Sequence, residues 1–301
     1  MSEYICTLCP RECHAVRQDR SGQGFCGMGL LPKVARAAPH YWEEPCISGT
    51  KGSGTIFFSG CVLSCVFCQN YCISQEHHGK ILTVDELTEV MKALVRQGVH
   101  NINLVSPTPY IESLLACFAQ YRPPVPIVYN TGGYEKVSTL QRLEGLVDIY
   151  LPDFKYLRGD LSLKYSRAAD YADYVQPAIR EMVRQTGKPV FDEQGILQKG
   201  TVVRHLILPQ NTKNSLAVME TLQRAFGDSI LVSLMGQYLP MGQAAQYPEI
   251  NRRLTKREYE KVRNRYDELE LEGFVQELSS ADERYVPAFS DDDPMKGVTE
   301  G

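Results

Sequence analysis

Three cysteines fall within eight residues of this 301-residue chain, Cys61-Val62-Leu63-Ser64-Cys65-Val66-Phe67-Cys68. Their C-x3-C-x2-C spacing lets three soft thiolates meet on one centre, and such ligands favour iron–sulfur clusters, zinc or Cu(I). A cubane cluster normally takes four protein thiolates. Three on one loop therefore leave one iron open, and an open iron is a reactive site. The alternative is a zinc knot completed by Cys72, His77 or His78, although the nearest zinc patterns pair two C-x2-C units.

A second group, Cys6-x2-Cys9-x3-Cys13 followed by Cys26, lies in a stretch rich in Pro, Arg, Gly and Gln with little hydrophobic periodicity. Such a stretch lacks the means to fold on apolar burial alone. Four thiols there suit a closed zinc site or a second iron–sulfur cluster, and the remaining possibility is four unliganded thiols. Cys46 and Cys117 stand alone and read as small buried side chains. Cys72 follows the main trio at a ligand-like distance, but a fourth thiolate would close the open iron, so it is read as a neighbour.

The elements that must position the trio follow from local patterns. Gly54-Thr55-Ile56-Phe57-Phe58 reads as a buried strand that runs into Ser59-Gly60, placing the cysteines on the loop after its carboxyl end. Thr83-Val84-Asp85-Glu86 is a capping box opening a helix that ends at Gly98. Strands at 101–105, 126–129, 147–151, 201–208 and 230–234 then alternate with helices near 110–121, 135–145, 162–186 (interrupted by Pro177) and 214–226. Gly195 turns a small hairpin-like insert. Six apolar strands separated by helices imply a parallel sheet covered on its outer face. The expected fold class is α/β, a partial (βα)6 barrel of the TIM type with a small cysteine-rich amino-terminal segment. Two strands short of a closed barrel, it leaves a lateral mouth. The expected divisions are a metal-binding segment at 1–50, the barrel core at 51–240, and a helical extension and tail at 241–301. The extension holds a second capping box, Thr255 to Glu258, a charged helix reaching about Glu272 with Gly273 as its C-cap, and a frayed tail from Asp291.

If the strands are parallel, their carboxyl ends share one rim. Those ends carry Ser106-Pro107-Thr108-Pro109, Asn130-Thr131-Gly132-Gly133, Asp153-Phe154-Lys155 and, on the fifth strand, Arg204. Each alone is an ordinary turn. Together they gather a glycine pair, a carboxylate, an ammonium and a guanidinium around the thiol loop, groups suited to a zwitterionic amino acid joined to a ribose.

Hydrophobic residues make up 43% and charged residues 23%, the balance of an ordinary globular protein. A net charge of −4 without a Lys/Arg cluster argues against bulk nucleic-acid binding. No apolar run approaches a membrane span, and ten cysteines without a secretory signal fit metal binding in a reducing compartment; a cytoplasmic protein is expected.

The trio's spacing, with Phe67 just before its third cysteine, resembles the signature of the radical S-adenosylmethionine (radical SAM) superfamily. Over about residues 4 to 290 the layout resembles the glycyl-radical-enzyme activating enzymes within it. The nearest branch is the poorly characterised one related to pyruvate formate-lyase activating enzyme, with an amino-terminal cysteine segment. The run Gly54 to Cys61 with Cys65, Phe67, Cys68, Gln69 and Asn70 follows that branch. Asp153-Phe154-Lys155 resembles its D-x-K, and Arg204 its basic residue on strand five. Two segments depart from the family: Ser106-Pro107-Thr108-Pro109 stands where Gly-Gly-Glu-Pro is usual, and Asn130-Thr131-Gly132-Gly133 where Asp-Thr-Asn-Gly is usual.

The resemblance implies an iron–sulfur oxidoreductase with a [4Fe-4S] cluster on Cys61, Cys65 and Cys68. Phe67, Ser106, Thr108, Asn130, Thr131, Gly132, Asp153, Lys155 and Arg204 would touch S-adenosylmethionine, and Asp153 and Asn130 would share a monovalent cation. It also implies an external one-electron donor such as flavodoxin or ferredoxin. The substrate would be a glycine of a partner enzyme, or else a small molecule or peptide. A non-catalytic metal-binding module is the alternative from a different class.

Overall fold

The computed structural model describes residues 4–280 together with Phe289 and Val298; the rest of the tail expected to fray from Asp291 lies outside them. The chain opens with an antiparallel pair, β1 (Tyr4–Ile5) and β2 (Val16–Arg17). Next come β3 (Lys33–His40), the short helix α1 (Pro45–Ser48) and β4 (Ser53–Phe58), which is buried along its whole length. After α2 (Tyr71–Ser74) and β5 (Lys80–Ile81), α3 (Val84–Arg96) starts at the expected capping box. Thr83 accepts from the Glu86 N–H, and the Glu86 carboxylate accepts from the Thr83 N–H, which satisfies two donors that a helix start leaves open.

The alternation then runs β6 (Ile102–Val105), α4 (Ile111–Gln120), β7 (Ile127–Thr131), α5 (Val137–Gln141), β8 (Ile149–Pro152), α6 (Gly159–Ser166) and α7 (Tyr171–Thr186). It continues with β9 (Val190–Phe191), β10 (Leu197–Leu206), α8 (Thr212–Phe226), β11 (Leu231–Met235), α9 (Lys256–Glu268) and β12 (Gly273–Val275). In the main sheet β4, β6, β7, β8, β10 and β11 are parallel neighbours in that order. The fold is the expected α/β partial barrel, and all six expected strands are in it.

Four features correct the expectation. A seventh parallel strand, β12, adds to β11. Gly273 begins that strand instead of capping a helix: a Cβ there would sit 2.1 Å from the Val232 carbonyl oxygen, so the two backbones approach too closely for any other residue. The stretch at 162–186 breaks at 167–170 and not at Pro177, which lies inside α7. The physical cause is competition for carbonyls: those of Tyr165 and Ser166 accept from Val66 and Ser64 of the cysteine loop, and Arg167 closes α6 in the left-handed conformation. Finally, residues 33–40, left by the sequence reading inside the cysteine-rich segment, form an antiparallel strand between β4 and β5.

Side chains alternate across a strand, so each barrel strand has an inner and an outer face. Val128, Ile149, Leu151, Val202 and Leu231 pack with Cys46 and Ile47 of α1 in one buried cluster. The α1 turn thus plugs the barrel, and Asn101 Nδ2 holds it by donating to the Ile47 carbonyl (2.8 Å).

Candidate active site

β4 delivers the chain to the rim, and a left-handed glycine turns it. Gly60 has φ +78, and a Cβ on it would come 2.3 Å from Met28 Cγ and 3.1 Å from the Cys26 carbonyl oxygen. The cysteine loop is then clamped on several sides. Arg11 Nε donates to the Val62 carbonyl (2.9 Å), Gln75 bonds Ser64 and Leu63, and the Gly60 N–H donates to Ile73 of α2.

The three thiols each have a donor or polar neighbour. The Leu63 N–H points at Cys61 Sγ (3.4 Å), Ser166 Oγ lies 3.0 Å from Cys65 Sγ, and Ser74 Oγ donates to Cys68 Sγ (3.3 Å). Burial pushes the Cys61 thiol up to about 12 and the Cys68 thiol up to about 11, and it raises Cys65 as well; the ammonium of Lys155 opposes the shift at all three. Thiols held in this way keep their protons until a metal replaces them. Cys72 packs with Ala35, Phe57 and Val105, and the His77 ring lies against Gly27.

A cavity of about 470 Å³ opens over the loop at the carboxyl ends of the strands. Cys65, Phe67 and Cys68 line it from the loop. Ser106, Asn130, Thr131, Gly132, Asp153, Lys155 and Arg204 line it from the strand ends, so the rim residues singled out in the sequence share one space. Thr108 turns the other way: fully enclosed, it donates to Glu135 Oε1 (2.6 Å). Lys155 and Asp153 form an ion pair, and although burial alone would lower the Lys155 ammonium, Asp153 and Cys65 hold it well above its ordinary value.

Arg204 has a different engagement from the one expected. Its Nε and Nη2 grip both oxygens of Glu44 (2.8 and 2.6 Å), and Nη2 also reaches Glu43. The sequence reading missed both glutamates because they precede α1 in a stretch with no barrel pattern. It also missed two struts. The Tyr171 hydroxyl donates towards the Gly132 and Asp153 carbonyls (2.9 and 2.8 Å) and accepts from the Lys155 N–H (3.0 Å), tying the loops after β7 and β8. Glu135, wholly buried, accepts from Thr108 and Thr131 and so ties the loops after β6 and β7; burial pushes its carboxyl up to about 7.

The amino-terminal thiols gather beside this site. Burial pushes Cys9 up to about 12, with smaller contributions from Glu135, Cys26 and Cys6 nearby, and burial raises Cys26 beside Cys6 and Cys13. The segment is pinned to the barrel by Thr139, which donates to the Leu8 carbonyl (2.7 Å), and by the Lys136–Glu12 pair. Among the described residues no three His, Cys, Asp or Glu side chains converge on a point that would hold a single ion.

Residues 55–182 match the family model of the radical SAM superfamily. The chain is 30% identical over 266 residues to the uncharacterised protein MJ0674 of Methanocaldococcus jannaschii, covering 85% of this chain and 72% of that one. Among solved structures it is similar to Streptococcus suis SuiB bound to the precursor peptide SuiA (TM-score 0.49, 16% identity, 77% of this chain and 51% of that one). It is also similar to anSMEcpe with bound AdoMet (TM-score 0.47, 12% identity, 72% of this chain and 61% of that one). The chain spans about half the length of SuiB. It belongs to the radical SAM superfamily. That family implies a [4Fe-4S] cluster and S-adenosylmethionine, and no helix among the described residues is long and apolar enough to cross a membrane.

Proposed function

We propose that the chain uses Cys61, Cys65 and Cys68 to hold a [4Fe-4S] cluster with one open iron, and that the 470 Å³ cavity receives S-adenosylmethionine beside it. The observation that carries this reading is that Cys65 and Cys68 face the same cavity as Asp153, Lys155 and Asn130. When bound, the two groups supply one-electron cleavage to methionine and a 5′-deoxyadenosyl radical that abstracts hydrogen from a substrate. The protein's own residues position and shield. Lys155 offers a cationic donor to a carboxylate or ribose, Asp153 with Asn130 a seat for a monovalent cation, and Phe67 an apolar wall. Asp153→Asn and Lys155→Ala each weaken S-adenosylmethionine binding and leave the iron content intact. Cofactor titration of the reconstituted variants checks this, and unchanged affinity in both would remove the rim from the cofactor site.

The substrate reading that the resemblance favours is a backbone glycine of a partner enzyme, with an external flavodoxin or ferredoxin delivering the electron in the cytoplasm. Modification of a small molecule or peptide is the second reading. Deuterium passing from a glycine-labelled partner into 5′-deoxyadenosine separates the two.

The quartet Cys6, Cys9, Cys13 and Cys26 is proposed to bind a second metal centre, zinc or iron–sulfur, that staples the amino-terminal segment. Losing one of these thiols loosens residues 4–31 before it affects cofactor cleavage. Limited proteolysis and metal analysis of a chain lacking the three loop cysteines decide it, and the absence of both zinc and iron leaves free thiols.

A further inference from the structure

The floor of the cavity is made by a segment that the radical chemistry does not use. Glu43 and Glu44, between β3 and α1, share the one guanidinium of Arg204, and these side chains are only 8, 2 and 11% exposed. Nearer the thiols, Asp153 pairs one-to-one with Lys155. At Arg204 two carboxylates thus share one cation, an excess of one negative charge within this nearly enclosed set. Burying an unbalanced charge is costly. His40, which also lines the cavity, does not supply the missing cation, because burial draws its imidazole towards the neutral form, opposed by Glu43 and aided by Arg36 and Arg204. Nor does the cofactor, whose sulfonium is offset by the thiolate-held cluster and whose ammonium is offset by its own carboxylate.

Acceptor oxygens without donors point the same way. Asn103 on β6 is fully buried and donates through Nδ2 to Glu43 Oε1 (3.0 Å). A carboxylate only accepts, so the amide nitrogen must face it, and that leaves Asn103 Oδ1 buried without a partner among the described residues. Gln276 lines the cavity, and its Oε1 is likewise buried and without a partner. Around these groups the wall is apolar: Phe57, Leu206 and Met235, with Trp42 at the mouth.

We propose that the cavity floor recognises a substrate bearing a cationic nitrogen head, a primary amine or guanidine on an aliphatic stem. The head is seated on Glu43 with Gln276 as a further acceptor, and the stem lies against Met235 and Trp42. This rests on the radical SAM reading of the same cavity and names the class of molecule that the site takes.

The chain has a single tryptophan, and it is Trp42, so binding is readable without turnover. The reconstituted full-length chain, saturated with S-adenosylmethionine, is titrated with butylamine, butylguanidine and butyrate, by calorimetry and by Trp42 emission. Butylamine or butylguanidine binds saturably and butyrate does not. Glu43→Gln weakens the cationic probe by at least about tenfold, as expected for losing a charge-assisted hydrogen bond. Gln276→Leu, on a partly buried side chain outside the ion network, weakens it in the same direction and serves if Glu43→Gln does not fold. Butyrate binding as well as the amines, no saturable binding of either cation, or unchanged affinity in the folded variants each overturns the proposal. Normal cofactor cleavage alongside any of those results leaves the radical reading intact. Cation binding by a chain that neither holds iron nor cleaves the cofactor would remove the radical reading alone.

Discussion

Cys61→Ala, Cys65→Ala and Cys68→Ala each reduce cofactor cleavage to background, the largest effect expected of any substitution here. The loop brings three thiols, each with its own hydrogen-bonding neighbour, to the end of β4, and a cubane held by only three protein ligands does not survive the loss of one. Cys72, the nearest further thiol in sequence, packs with Ala35, Phe57 and Val105. Anaerobic reconstitution followed by iron and sulfide analysis, with 5′-deoxyadenosine measured under a reductant, checks the result. Product from the triple variant would overturn the assignment of the loop. Because the loop's backbone is held by Arg11, Gln75 and the end of α6, the single variants stay folded, so the loss reads the cluster and not the fold.

Arg204→Met destabilises the fold by about 3–5 kcal/mol, the range found when one partner of a buried ion network is removed. The side chain keeps an unbranched apolar stem, but Glu43 and Glu44 lose the cation that both of them grip. The effect depends on pH. In the native chain, burial alone would raise the Glu44 carboxyl, but the charge and hydrogen bonds of Arg204 outweigh it and hold the group below its ordinary value. The ionised form therefore stabilises the fold above the unfolded carboxyl's pKa, and that contribution fades as pH falls through the lower folded value. Without the guanidinium, burial, the largest influence on this carboxyl, outweighs the hydrogen bonds left to it, the carboxyl moves above its ordinary value, and stability falls as pH rises. The deficit of the variant is thus larger at about pH 8 than at about pH 5. Urea melts at the two pH values measure it; a deficit below about 1 kcal/mol that ignores pH would show an exposed, dispensable pair.

The same cluster links stability to the site, because Glu43 and Arg204 both line the cavity. Tyr171 and Glu135 play a comparable part at the rim by fastening neighbouring loops to one another. Polar groups enclosed in this way specify one arrangement of the strand ends, since each unmade bond would leave a desolvated donor or acceptor.

The amino-acid sequence by itself determined what depends on near neighbours. The trio is legible because a metal loop needs its ligands a few residues apart. The capping boxes at Thr83 and Thr255 are legible because a helix start is satisfied within four residues. The β/α alternation is legible because buried parallel strands are continuously apolar, and once the strands are parallel, chain order alone brings Asn130, Asp153 and Lys155 to one rim. Tertiary structure decided what depends on distant partners. Arg204 meets Glu43 and Glu44 across about 160 residues of chain, and no local pattern records which charges will share a buried space. Residues 33–40 show no clean alternation of their own, and pairing with β4 and, at Lys33 and Val34, with β5 supplies the hydrogen bonds that make them a strand. The break in the helical stretch after Ser166 has the same origin: the carbonyls that would continue the helix are taken by the cysteine loop one hundred residues earlier in the chain.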